Sequence, residues 1–190
     1  ASNEHILQQQ QALQAVNQDL ERQSQTDGLT GLANRRQFDH ALLREHARQQ
    51  RTGAPLSLLM VDLDHFKHVN DRYGHAIGDD YLRAVARVLN TSVTRATDLA
   101  ARYGGEEFVC LLPETAATDA QMLAERIRQG VSSMALPNEL ASPPHLTLSI
   151  GVATLLGGKT DAAQLLAQAD EQLYAAKHAG RDRVHAVVLR

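Results

Sequence analysis

The chain has 190 residues, enough for one ordinary domain and a modest appendage but short for two full domains. Apolar residues make up 43% and charged residues 22%, which excludes wholesale disorder and fibrous architectures. The formal net charge of −3 lacks the strongly positive balance of a nucleic-acid-binding domain, and the single Cys110 excludes an internal disulfide and a multi-cysteine zinc site.

Residues 1–26 differ from the rest, with eight glutamines and neither Gly nor Pro. Ile6, Leu13 and Leu20 recur every seven residues. Val16 falls between the last two at heptad spacing, and Gln9 and Gln23 take the other d positions. This predicts a helical stalk that pairs as a coiled coil; a lone helix packed on its own domain, or a frayed end, is the ordinary alternative. Thr26-Asp27-Gly28 breaks the helix, and a globular domain is expected over 27–190. A second helix is predicted from about Asn34 to Gln50, ended by Thr52-Gly53-Ala54-Pro55. Leu56–Leu63 (LSLLMVDL) reads as a buried central strand. A helix follows over His75–Thr91, and Gly104-Gly105 joins strands Asp98–Tyr103 and Glu107–Leu112 into a hairpin. Cys110, inside FVCLL, reads as a buried small hydrophobe. A helix over Ala117–Val131, a strand over His145–Thr154, a helix over Ala162–Ala179 and a strand over Arg183–Leu189 complete the chain. Alternating and paired elements imply an α/β fold with a mixed sheet. No run approaches the ~18 apolar residues of a membrane span and no signal peptide opens the chain, so a soluble, cytoplasmic domain is expected. The chain opens on Ala1, so it is expected to be a piece of a longer protein with an upstream sensory region.

Two constellations carry chemistry. The strand Leu56–Leu63 runs into Asp62-Leu63-Asp64, and alternation puts both carboxylates on one face, where a cation would relieve their repulsion. The ordinary alternative is that Asp64 caps the next turn and Asp62 is merely exposed. The hairpin Arg102-Tyr103-Gly104-Gly105-Glu106-Glu107-Phe108 places two glutamates where two glycines let a ligand come close. Asp62 with Glu106 and Glu107 would suit a divalent metal and phosphoryl chemistry, and Asp62 and Glu106 are expected at exposed loop edges. Gly157-Gly158-Lys159-Thr160 resembles the tail of a phosphate-binding loop but has Ala153 where its first Gly belongs, and reads as a surface turn.

Gly104–Phe108 (GGEEF) resembles the signature of the GGDEF family, the bacterial diguanylate cyclases. Asp27–Arg35 (DGLTGLANR) resembles the family's opening motif. Asp62–Lys67 (DLDHFK), Asn70-Asp71, Gly74-His75, Gly78-Asp79, Ser149–Ala153 and the segment from Ala169-Asp170 to Gly180-Arg181 follow its order and spacing. Asp182 departs from it, since the family usually has Asn there.

The resemblance implies a palm-like fold shared with nucleotidyl cyclases and polymerases, with about five central strands. It implies condensation of two GTP into cyclic di-GMP with release of two pyrophosphates, by a homodimer using Mg²⁺ or Mn²⁺. Asp62, the Leu63 carbonyl and Glu106 match metal ligands. Glu106 or Glu107 would take the proton of the attacking hydroxyl. Lys67, Lys177 and Arg181 match phosphate contacts, Gly104 and Gly105 the substrate-side turn, and Asn70 and Asp79 the guanine readers. His75 matches a substrate-side position or simply stabilises a turn. Arg95-Ala96-Thr97-Asp98 matches a product-inhibition site, with Arg126 in support; an ordinary surface ion pair is the alternative. A catalytically silent module that binds GTP or cyclic di-GMP is the competing function, and the retained acidic residues argue against it.

Overall fold

The computed structural model describes residues 2–190, apart from the side chains of residues 21–23, so the d position expected at Gln23 lies outside the described residues. Among the described residues, six helices and five strands follow in the order α1 (Ser2–Gln25), α2 (Arg35–Thr52), β1 (Leu56–Leu63), α3 (Phe66–Tyr73), α4 (His75–Ser92), β2 (Leu99–Arg102), β3 (Glu107–Pro113), α5 (Ala117–Ser133), β4 (Leu148–Leu155), α6 (Ala162–His178) and β5 (Arg183–Leu189). The strands form one mixed sheet in the order β2-β3-β1-β4-β5, antiparallel throughout except for the parallel pair β4–β5.

The central strand β1 is buried along its whole length, which is why its sequence is an apolar run rather than an alternation. Leu59, Val61 and Leu63 point to one side, against Phe66 and Val69 of α3, Leu82, Val85 and Leu89 of α4, and Ile127 of α5. Leu58 and Met60 point to the other, with Phe38 and Leu42 of α2 and Leu165, Ala169 and Leu173 of α6. The protein is therefore a helix–sheet–helix sandwich with a separate core on each face. Cys110 is fully buried as expected, and that burial pushes its thiol up to about 12.

Helix boundaries follow local chemistry. Asn34 caps α2 by accepting from the Gln37 N–H at 3.0 Å, and Asp161 and Gln164 form a reciprocal capping box on α6. Two expectations need correction. Residues 66–73 form α3, which was not predicted: Phe66, Val69 and Tyr73 fall at helical spacing, but eight residues give too short a window for that pattern to stand out. Strand β4 starts at Leu148, three residues later than expected, because the preceding backbone is engaged elsewhere. The Leu146 N–H donates to the Leu136 carbonyl at 2.8 Å, and the Thr147 carbonyl accepts from the Asp64 N–H at 3.0 Å.

On α1, Ile6, Leu13, Val16 and Leu20 are each more than half exposed, so the core of the globular part does not absorb the heptad positions. No helix among the described residues is long and apolar enough to cross a membrane.

Candidate active site

The end of β1 and the β2–β3 hairpin meet at the edge of the sheet. Asp62 pairs in register with Glu107 on one side and Ser149 on the other, and the Leu63 N–H donates to the Glu106 carbonyl at 3.3 Å. A cleft of about 180 Å³ opens there, lined by residues 62–67, Glu106, Lys177 and Arg181. Six residues expected to act together from three distant stretches of sequence thus share one hollow: Asp62, Leu63, Lys67, Glu106, Lys177 and Arg181.

Asp62 is not at an exposed edge. It is 3% exposed, and its carboxylate accepts from the Lys177 ammonium. Burial pushes its proton affinity up; the Lys177 charge pulls back, Glu106 and Glu107 push further, and the group titrates at about 6. Burial likewise raises Glu106, against Lys177 and with the repulsion of Glu107. These are two electrostatically strained carboxylates on hard oxygen donors beside a backbone carbonyl, the donor set that Mg²⁺ or Mn²⁺ takes when substrate phosphates complete its shell. Among the described residues no three His, Cys, Asp or Glu side chains form a closed cage. Asp62, Glu106 and the Leu63 carbonyl are the donor types that an open divalent-cation site would use.

Asp64 has a different task. It is 3% exposed and accepts from Thr147 Oγ1 at 2.7 Å, Ser149 Oγ at 2.6 Å and the Asp182 N–H at 3.0 Å. It lies on the same face as Asp62, as alternation requires, but its oxygens are committed to holding β1, β4 and the turn after α6 together.

The hairpin tip is held by arginine. Arg102 Nη2 donates to the Gly105 carbonyl at 2.8 Å and its Nε to the Gly104 carbonyl at 3.2 Å, while Nη1 pairs with Asp27 at 3.4 Å. Neither Gly104 nor Gly105 needs a left-handed backbone, and a Cβ at Gly105 would meet nothing within 4 Å, so the tip stays open to a ligand. Asp27 also accepts from Thr30 N and Oγ1 at 2.9 and 2.7 Å, and Asn34 Nδ2 donates to the Ser24 carbonyl at 2.6 Å. The opening motif thus ties the end of α1 to the hairpin. Tyr103 adds to this anchorage, edge-on to Phe38 and under the Arg35 guanidinium at 4.3 Å.

Glycines set two close approaches. A Cβ at Gly151 would lie 2.2 Å from the Ala169 carbonyl oxygen, so Gly151 lets α6 rest on β4 and brings Lys177 to Asp62. At Gly78 a Cβ would lie 2.0 Å from Asn70 Oδ1, so a side chain here would push the Asn70 amide from its place against α4. Gly78 thus leaves Asn70 beside the first turns of α4, which carry the exposed His75 and the half-buried Asp79. None of the three lines the cleft itself. Glu107 lies outside it as well, in an adjoining groove with Tyr103 and Asp170.

Arg95 and Asp98 flank a separate hollow of about 260 Å³, walled by Glu114, Thr115 and by Asp119 and Leu123 of α5. Arg95 bonds Asp98 Oδ1 at 3.1 Å, Thr115 Oγ1 at 2.7 Å and the Pro113 carbonyl. Arg126 is exposed on α5 and does not line this hollow.

A family model described as "Diguanylate cyclase, GGDEF domain" matches residues 24–183. The chain belongs to the GGDEF family. It is 45% identical over 163 residues to the response regulator PleD of Caulobacter vibrioides, covering 84% of this chain and 35% of that protein. It is 42% identical over 180 residues to the diguanylate cyclase DgcM of Escherichia coli, covering 95% of this chain and 42% of that one. This GGDEF chain thus spans about two fifths or less of those relatives' length. A crystal structure of the coiled coil and GGDEF domain of DgcB from Caulobacter crescentus, in complex with c-di-GMP, superposes with a TM-score of 0.86. That match has 36% identity and covers 98% of this chain and 100% of the other. The signatures that sequence reading missed were the hairpin clamp Asp27–Arg102, the brace around Asp64 and the contact of Asn70 with Gly78. Asp27, Asp64, Asn70 and Gly78 stand in the marked motifs, whereas Thr147 of the brace does not.

Proposed function

We propose that this chain is the catalytic portion of a diguanylate cyclase, which joins two GTP molecules into cyclic di-GMP and releases two pyrophosphates. The observation that supports it most is the meeting of Asp62, Glu106, Lys67, Lys177 and Arg181 around one cleft. Asp62, the Leu63 carbonyl and Glu106 would hold a divalent cation, Mg²⁺ or Mn²⁺. Such an ion polarises the α-phosphate and offsets charge on the leaving pyrophosphate.

The chain's own groups do the rest. Lys67, Lys177 and Arg181 bind phosphate oxygens and stabilise the negative charge that grows in line. Lys177, which pairs with the Asp62 carboxylate, would be free to reach the phosphates if that carboxylate held a cation instead. Asn70 and Asp79 read the guanine edge: a carboxylate accepts from N1–H and the 2-amino group, which adenine cannot offer. His75 lies at the same end of α4. The proton of the attacking 3′-hydroxyl passes to the Glu106–Glu107 pair, and the raised proton affinity of Glu106 suits it to accept. Gly104 and Gly105 leave room for the nucleotide.

One cleft holds one GTP, so two domains face each other antiparallel and each 3′-hydroxyl meets the other's α-phosphate. The exposed Ile6, Leu13, Val16 and Leu20 suit α1 to pair two copies. Product returning to Arg95 and Asp98 supplies feedback inhibition, after Arg95 releases its internal partners; Arg126 would reach a ligand only from outside the hollow. In a longer protein the upstream region would set the pairing, and the domain would work in the cytoplasm where GTP is available. Incubation with GTP and Mg²⁺ followed by chromatography tests the reading. Cyclic di-GMP is the expected product, and unchanged GTP would favour a silent receptor module.

A further inference from the structure

The turn between α6 and β5 is unusual in three consecutive residues. Gly180, Arg181 and Asp182 all have positive φ, at 122°, 63° and 48°. Left-handed backbone at two successive non-glycine residues persists only where the surroundings over-determine it. From within, the Asp64 carboxylate accepts from the Asp182 N–H at 3.0 Å. The Arg181 carbonyl accepts from Arg183 Nε at 2.9 Å. From the opposite face of the sheet, Arg128 of α5 reaches the Asp182 side chain, with Nη1 at 2.8 Å from Oδ1. Its guanidinium is 18% exposed and is itself aimed by Glu125, which accepts from Nε at 3.0 Å. Asn at position 182 would tolerate the same backbone but offer no charge to Arg128.

We infer that Arg128 is a positioning residue: through Asp182 it fixes the turn from which Arg181 projects into the phosphate cleft. The inference rests on the reading of Arg181 as a phosphate contact. Arg181 is exposed and enters no ion pair among the described residues, so its backbone chiefly sets its direction. With the outer clamp removed, the long side chain samples more directions and GTP loses an ordered partner, while the chemistry of bound substrate continues at Asp62 and Glu106.

Steady-state kinetics of the whole chain test this, with Arg128→Ala, Arg128→Lys, Asp182→Asn, Arg181→Ala and the double variant of Arg128 and Arg181. Arg128→Ala should raise KM for GTP about tenfold with kcat within about threefold, the range expected for coupled neighbours. Arg128→Lys should recover part of that loss. Asp182→Asn, which keeps the backbone contact to Asp64, should move KM in the same direction by a smaller factor and serves if Arg128→Ala does not fold. In the Arg181→Ala background, Arg128→Ala should add less than twofold. An unchanged KM in both Arg128→Ala and Asp182→Asn, or an undiminished effect of Arg128→Ala without Arg181, would overturn the inference. An unchanged KM in Arg181→Ala alone would instead overturn the phosphate reading on which it rests.

Discussion

Replacing Asp62 by Asn should make the metal-free protein more stable while destroying its activity. Asn has nearly the shape of the protonated carboxyl, keeps an oxygen for the Lys177 ammonium and removes the charge that burial penalises. A carboxyl that titrates at about 6 folded and at its ordinary 3.8 unfolded costs on the order of 3 kcal/mol once fully ionised in both states. Below pH 4 the group is protonated in both states and the cost is absent. As pH climbs from 4 to 6 the folded state holds a proton that the unfolded chain has lost, so stability falls; above 6 the penalty is complete. The variant lacks this loss, so its advantage should be near zero at pH 4 and reach its plateau above pH 6. For a chain of this size, that plateau corresponds to roughly 6–12 °C in Tm. Urea and thermal unfolding in EDTA, without nucleotide, between pH 4 and 8 measure it. A variant no more stable than the parent at pH 7.5, or an advantage that does not change with pH, would refute the reasoning.

Other substitutions separate the remaining roles. Glu106→Gln should lower turnover by on the order of 10²–10³ with the fold intact by circular dichroism. Gly78→Ala should displace Asn70, whose Oδ1 would lie 2.0 Å from the new Cβ; the expected result is a raised KM for GTP and weaker discrimination against ATP in competition assays. Arg95→Ala should leave early rates unchanged and abolish the slowing caused by added cyclic di-GMP, read from progress curves. Deleting residues 1–24 should lower specific activity most at low enzyme concentration and recover it as concentration rises, measured over a hundredfold dilution.

Much of this was legible in the sequence because the fold repeats its signals locally. Leu56–Leu63 and Arg183–Leu189 coincide with β1 and β5, since an apolar run between turn residues leaves few alternatives. Helix α3 was not legible because eight residues are too short a window for the spacing of Phe66, Val69 and Tyr73 to stand out. The members of the cleft were legible one by one through motifs. Their electrostatics were not: the burial of Asp62 depends on β3 and β4 flanking it, and its partner Lys177 lies 115 residues away. The same distance problem hides Arg128 from Asp182, and Asp64, which looks like a second metal carboxylate, turns out to be a brace.

The central claim is that the Asp62–Glu106 cleft converts GTP into a cyclic dinucleotide. Pyrophosphate and cyclic di-GMP should be quantified in the same reaction of GTP and Mg²⁺, with the parent chain and with Glu106→Gln. The parent should release two pyrophosphates for every cyclic di-GMP, and the folded variant at least about a hundredfold less of both. Product at the parental rate from Glu106→Gln, or a parent that binds GTP and releases no pyrophosphate, would contradict it.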